Sequence, residues 1–216
     1  MELKAVIFDL DGTVIADEDE YGEAFAKVMQ QFGIKLTSKY PHIGGIGVGE
    51  NWDVFIKKFD IKTDKTNDEL GTETQKEYLK LIPKITLKPG FVEFAEWMRN
   101  SEVIVALATS NYWSAVDKLF DHLGIEKYFD FVTTGDEVKS KKPNPEVFDI
   151  TAEKMGIATE NCLVLEDSSA GIDAARKAEM KVIAIARNEK HKKSLKRADY
   201  IIADFREITL DLITQL

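Results

Sequence analysis

Phe8-Asp9-Leu10-Asp11-Gly12-Thr13 closes the first apolar run of the chain, Leu3-Lys-Ala-Val-Ile-Phe8, on two carboxylates. Side chains two positions apart on extended chain point the same way, so Asp9 and Asp11 are expected to face one site. Gly12 lets the backbone turn away at once. Asp and Gly also make ordinary turns, but a turn needs no carboxylate at the buried end of a strand. Moving outward, the same kind of short apolar run recurs at Val103–Ala108, Phe129–Val132, Cys162–Leu165, Val182–Ala186 and Tyr200–Ile202. Most lack the polar alternation of a half-exposed strand, which predicts strands covered on both faces, as in a parallel sheet. Helices are predicted between them over 91–99, 112–123, 146–155, 170–179 and 190–197; in the second, Ala115, Val116, Leu119, Phe120 and Leu123 form one apolar face. Strand then helix, repeated, predicts an α/β fold with a doubly wound parallel sheet.

The stretch 15–88 breaks this rhythm. It shows helical periodicity without a convincing strand: Phe25, Val28, Met29 and Phe32 line one face, Trp52, Phe55, Ile56 and Phe59 another, and 66–82 gives a third segment. An insertion of this size is too large for a loop and suits a separate helical domain, leaving 1–14 and 89–216 as the α/β core. Pro89-Gly90 marks the return. The glycine-rich run Gly44-Gly-Ile-Gly-Val-Gly49 superficially matches dinucleotide patterns, but no strand precedes it; it is expected to be a loop reaching toward the site, with His42 beside it.

The 216 residues are 44% hydrophobic and 31% charged, an ordinary globular composition. A net charge of −9 disfavours nucleic acid or an anionic membrane as partner. The single cysteine, Cys162, sits in an apolar run and reads as a buried strand thiol, consistent with a reducing compartment. No apolar stretch approaches a membrane span and no cleavable-signal pattern opens the sequence, so the expected location is cytoplasmic.

Three further patches lie where strands end, the place at which open α/β sheets bind ligands. Leu107-Ala-Thr109-Ser110-Asn111 runs from strand to helix start, where hydroxyls and backbone N–H groups suit phosphate oxygens, although Ser110 or Asn111 could equally be helix caps. Lys139-Ser-Lys-Lys142-Pro-Asn-Pro145-Glu146 holds one lysine, Lys142, whose backbone is restricted by the following proline. Leu163-Val-Leu-Glu166-Asp167-Ser-Ser-Ala-Gly171 ends a strand on two adjacent acids, which calls for a cation nearby. Asp9, Glu166 and Asp167 together outweigh the one charge of Lys142. A single Mg²⁺ balances the set and lets an acidic protein hold a phosphate anion; hard oxygen ligands, with phosphate completing the shell, are what that ion prefers.

These four motifs, in this order, resemble the haloacid dehalogenase superfamily, and the insertion resembles its subfamily I helical cap on a Rossmann-like core. The likeness covers essentially the whole chain, and 142–148 and 165–171 look close to the branch holding small-molecule phosphatases and β-phosphoglucomutase. The resemblance implies Asp9 as nucleophile forming an aspartyl-phosphate, Asp11 as acid and base, and Thr109, Ser110, Asn111 and Lys142 as phosphate-binding residues. It implies Mg²⁺ held by Asp9, the Asp11 carbonyl, Asp167 and Glu166, the last in or just outside the coordination shell. A small phosphorylated metabolite is the implied substrate, with monomer the favoured state. A phosphomutase is the nearest alternative; it must grip a second phosphate, yet the first of the five arginines is Arg99, so residues 15–88 contain none.

Overall fold

Every residue of the first strand, β1 (Ala5–Phe8), is fully buried, because its two faces meet two different apolar layers. Val6 and Phe8 join one core with Leu107, Leu163, Leu165 and Ile183; Ala5 and Ile7 join a second with Ala106, Val164, Val182 and Phe148. The period of two thus sorts one continuous apolar run into two cores.

The computed structural model describes residues 2–36 and 42–216. After β1 come β2 (Ile15–Ala16), helices α1 (Glu18–Met29), α2 (Val48–Phe59) and α3 (Asn67–Leu79), and β3 (Thr86–Leu87). The chain continues through α4 (Phe91–Asn100), β4 (Ile104–Ala108), α5 (Trp113–Leu123), β5 (Phe131–Thr133), α6 (Glu146–Met155), β6 (Cys162–Glu166) and α7 (Ser169–Lys177). It closes with β7 (Lys181–Ile185), α8 (Glu189–Lys192), β8 (Tyr200–Ile202) and α9 (Leu210–Thr214). Six strands form a parallel sheet in the order β5-β4-β1-β6-β7-β8. This is the doubly wound α/β fold. The chain builds leftward from β1, then crosses back to build rightward, so its topological switch lies at the carboxyl end of β1. In register, Phe8 is level with Leu107 on one side and Leu165 on the other. Asp9, Ala108 and Glu166 therefore leave the sheet side by side.

Two expectations are corrected and one element is added. The segment 15–88 is not free of strand: Ile15 pairs with Leu87 and Ala16 with Thr86 in an antiparallel ribbon at its two ends. The helix expected over 190–197 is only the four residues of α8, because that lysine-rich stretch buries Leu195 alone and offers no apolar face. The short α9 was not anticipated. Between β2 and β3 the three helices pack around Phe25, Trp52, Phe55 and Tyr78, all buried, with Phe25 meeting the Phe55 ring edge-on at 5.1 Å. A capping box on Thr66 and Glu69 starts α3. No helix among the described residues is long and apolar enough to cross a membrane.

Candidate active site

Lys142 is the electrostatic centre of the site. It comes from the segment between β5 and α6, its side chain is wholly buried, and its ammonium lies 4.9 Å from the Phe148 ring centre. Nζ donates to Asp9 Oδ1 at 2.5 Å, to Glu166 Oε1 at 2.8 Å and to the Ala108 carbonyl at 3.2 Å. These acceptors belong to the ends of the three central strands, so one cation ties them together. Burial opposes its charge, but Asp9 and Glu166 outweigh that and hold the ammonium above its ordinary pKa.

Glu166 spends its carboxylate on protein donors. Oε1 takes Lys142, while Oε2 accepts from Asp167 N at 2.8 Å, Ser168 N at 2.7 Å and Ser168 Oγ at 2.9 Å. Space for it depends on Gly171, where a Cβ would collide with the carboxylate. Asp167 is the opposite case. It is 3% exposed, yet its Oδ1 has no hydrogen-bond partner, and burial together with Glu166 and Asp9 pushes its carboxyl well above the usual range. Gly12, at φ 80°, lies against it; any side chain there would strike the Asp167 carboxylate. Oxygens of Asp9, Glu166 and Asp167 fall within 4.8 Å of one another. An orphaned buried carboxylate oxygen amid hard oxygen donors fits a divalent cation such as Mg²⁺.

Burial raises the Asp9 carboxyl from 3.8 to about 8 in the absence of metal, against the pull of Lys142 and with Glu166 and Asp11 adding repulsion. Asp11 is held from the other side. Asn111 Nδ2 donates to its Oδ1 at 3.1 Å and Thr109 Oγ1 to its Oδ2 at 3.3 Å. Burial raises this carboxyl too, opposed chiefly by hydrogen bonds. Both aspartates line a small, partly open cavity of about 30 Å³, with Tyr21, Phe25, His42, Val48, Asn51, Ser110, Asn111 and residues 45–47 among its other walls. That holds little more than a water molecule. Asp11 and His42 also border an open cleft of about 770 Å³, walled by Asp167, α1 and α8.

Of the residues expected to bind phosphate, Lys142 and Thr109 converge on the aspartates. Ser110 and Asn111 are turned to other partners: Ser110 Oγ donates to the Gly45 carbonyl at 3.1 Å, fixing the glycine-rich loop over the site, and Asn111 serves Asp11. Neither caps α5, which starts behind Tyr112. His42 stacks on Tyr21 at 5.3 Å, and burial lowers its pKa to about 4, favouring the neutral ring. Sequence reasoning missed Asp17, Tyr21, Gln75 and Tyr78. Asp17 is fully buried; its Oδ1 accepts from Gly12 N at 3.1 Å and its Oδ2 from Tyr78 OH at 2.7 Å, clamping the turn that carries Asp11. Its only sequence signal, an acid opening the run Asp17-Glu-Asp-Glu20, is that of any helix N-terminus.

The family model described as haloacid dehalogenase-like hydrolase matches residues 6–185, spanning every strand that carries a site residue. The chain belongs to that family. Among haloacid dehalogenase-like relatives, it is 31% identical over 179 residues to a phosphorylated carbohydrates phosphatase of Thermotoga maritima, covering 82% of each chain. It is 27% identical to the fructose-1-phosphate phosphatase of Escherichia coli, over 83% of this chain and 95% of that one. A β-phosphoglucomutase crystal structure from Clostridium difficile superposes with a TM-score of 0.85 at 26% identity, covering 99% of this chain and 96% of the other. The fold, the family and the enzymatic class of hydrolase thus agree with what the four motifs imply.

Proposed function

We propose that this chain is a phosphohydrolase that transfers the phosphoryl group of a small phosphorylated metabolite, a sugar or polyol monophosphate, to Asp9 and then to water. The observation that carries the reading is that Asp9 and Asp11 share one cavity but have opposite partners: a cation for Asp9, neutral hydrogen-bond donors for Asp11. Lys142 favours the ionised Asp9, so that its free oxygen can attack phosphorus while the ester P–O bond breaks. Asp11 gives a proton to the departing oxygen. In the second half, Asp11 takes a proton from water as the water oxygen attacks phosphorus and the bond to Asp9 breaks. Lys142 and Thr109 hold the equatorial oxygens of the moving group. Asp9, the Asp11 carbonyl and Asp167 would hold Mg²⁺, which supplies positive charge to the phosphoryl oxygens when bound. Glu166 aligns Lys142. The helices of 15–88 act as a cap over 1–14 and 89–216, opening to admit a substrate that this cavity is too small to hold.

Hydrolysis is preferred to phosphomutation because, among the described residues, the cavity walls carry no Lys or Arg and burial favours the neutral His42 ring; Arg187 and Lys190 line the neighbouring cleft instead. A second phosphate in the cavity would have no counter-charge, and one in the cleft would meet Arg187 and Lys190 beside the acids Glu18, Asp19, Glu20 and Glu23. The phosphatase relatives support the same choice. The test is p-nitrophenyl phosphate with and without Mg²⁺, then β-glucose 1-phosphate with a trace of its 1,6-bisphosphate. Mg²⁺-dependent release of free phosphate is expected from both. Glucose 6-phosphate accumulating faster than free phosphate would make the enzyme a mutase.

A further inference from the structure

Gln75 lies on α3, more than sixty residues from Asp11 in sequence, and is 7% exposed. Its Nε2 donates to Asn111 Oδ1 at 3.0 Å. The same Oδ1 accepts from the backbone N–H of Tyr112 at 3.0 Å, and a backbone amide can only donate. That fixes the orientation of the Asn111 amide: its oxygen faces Tyr112 and Gln75, so its NH₂ must face Asp11. Gln75 must then present its own NH₂ to Asn111, which leaves its Oε1 to accept from Tyr21 OH at 3.4 Å. The chain of donors runs one way, from the helical segment to the carboxylate.

We propose that Gln75 is a positioning residue that ties the orientation of Asp11 to the seating of α3 on the core. With α3 docked, Asn111 Oδ1 has two donors and the amide is pinned; with α3 lifted, one remains and Asn111 can swing, loosening the proton donor. This rests on Asp11 being the acid for the leaving group, and the experiment separates the two claims.

Measure kcat/KM with saturating Mg²⁺ across aryl phosphates, from p-nitrophenyl to phenyl, for wild type, Gln75→Met, Asp11→Ala and the double variant. Gln75→Met keeps the volume and removes the donor. It should lower kcat/KM for phenyl phosphate about tenfold, within the range expected for a misplaced catalytic group, and for p-nitrophenyl phosphate by less than about threefold. In the double variant it should add nothing to Asp11→Ala. If Asp11→Ala itself affects all leaving groups equally, the acid role fails. If Asp11→Ala is leaving-group dependent but Gln75→Met is uniform, silent, or additive in the double variant, the Gln75 proposal alone fails. Gln75→Asn, one methylene too short to reach Asn111, is the second probe and must reproduce the pattern should the methionine variant misfold.

Discussion

Glu166→Gln separates the two acids that end β6. Glu166 Oε2 accepts three hydrogen bonds, so the glutamine must place its carbonyl oxygen there. Its NH₂ then confronts the Lys142 ammonium where Oε1 accepted at 2.8 Å, donor against donor. Breaking a fully buried ion pair costs ~3–5 kcal/mol. Lys142 keeps Asp9 at 2.5 Å and the Ala108 carbonyl, so the loss should sit near the value of one charge-assisted hydrogen bond, ~2–3 kcal/mol. For a chain of this length that lowers Tm by ~5–10 °C. Asp167→Asn should behave inversely. Its Oδ1 has no partner to lose, and the change removes a charge repelled by Asp9 and Glu166, so Tm without metal holds or rises. Mg²⁺ affinity should fall at least ~100-fold for Asp167→Asn and ~10-fold for Glu166→Gln, the latter as for a group that acts through a neighbour. Thermal melts in EDTA and Mg²⁺ titration calorimetry read both quantities. An unchanged Tm for Glu166→Gln, with Mg²⁺ binding lost as fully as in Asp167→Asn, would refute the assignment and make Glu166 a metal ligand.

Asp9→Asn should abolish turnover of p-nitrophenyl phosphate while leaving the circular dichroism spectrum intact; residual activity above about a tenth of wild type would rule out the covalent route. Chelation should stop turnover and Mg²⁺ restore it, so full activity in excess EDTA would exclude the metal. Because Asp9 titrates near 8 when folded but near 3.8 when unfolded, the folded metal-free protein binds more protons between those values, and Asp9's contribution to stability is lost as pH rises through them. The Tm difference between wild type and Asp9→Asn in EDTA should therefore move against wild type from pH 5 to pH 8, and Mg²⁺ should raise wild-type Tm more at pH 8; a flat difference would contradict the burial effect. Cys162 is fully buried, and burial pushes its thiol up to about 11, so a disulfide reagent at pH 8 should modify it only after unfolding. Rapid native modification would show that β6 opens readily.

The core strands were legible because burial on both faces writes an unbroken apolar run, as in Ala5–Phe8 and in 162–165. The ribbon of β2 and β3 was not, since two residues a side carry no periodicity and its pairing spans some seventy residues. The acids and lysine at the site stood out because a charge ending a buried strand has few structural excuses. Their division of labour did not: nothing in Glu166-Asp167 says which carboxylate takes four donors and which has an oxygen with none. Likewise Asn111 could be read as a phosphate ligand only while Gln75, a polar residue on an ordinary helix, had no address.

The ribbon joining Ile15 to Leu87 brings the chain's departure from the core and its return side by side. What lies between can lengthen, shorten or be exchanged as a cassette, because either version has only to bridge the same few ångströms and loop closure depends weakly on length. The residues of that segment that do not reach the site can therefore change independently of it, whereas Asp17, Gln75 and Tyr78 are bound to it. A graft of a foreign helical module between Ala16 and Thr86 would be a fair trial of that modularity if it kept Asp17, Gln75 and Tyr78, whose hydrogen bonds reach Gly12 and Asn111.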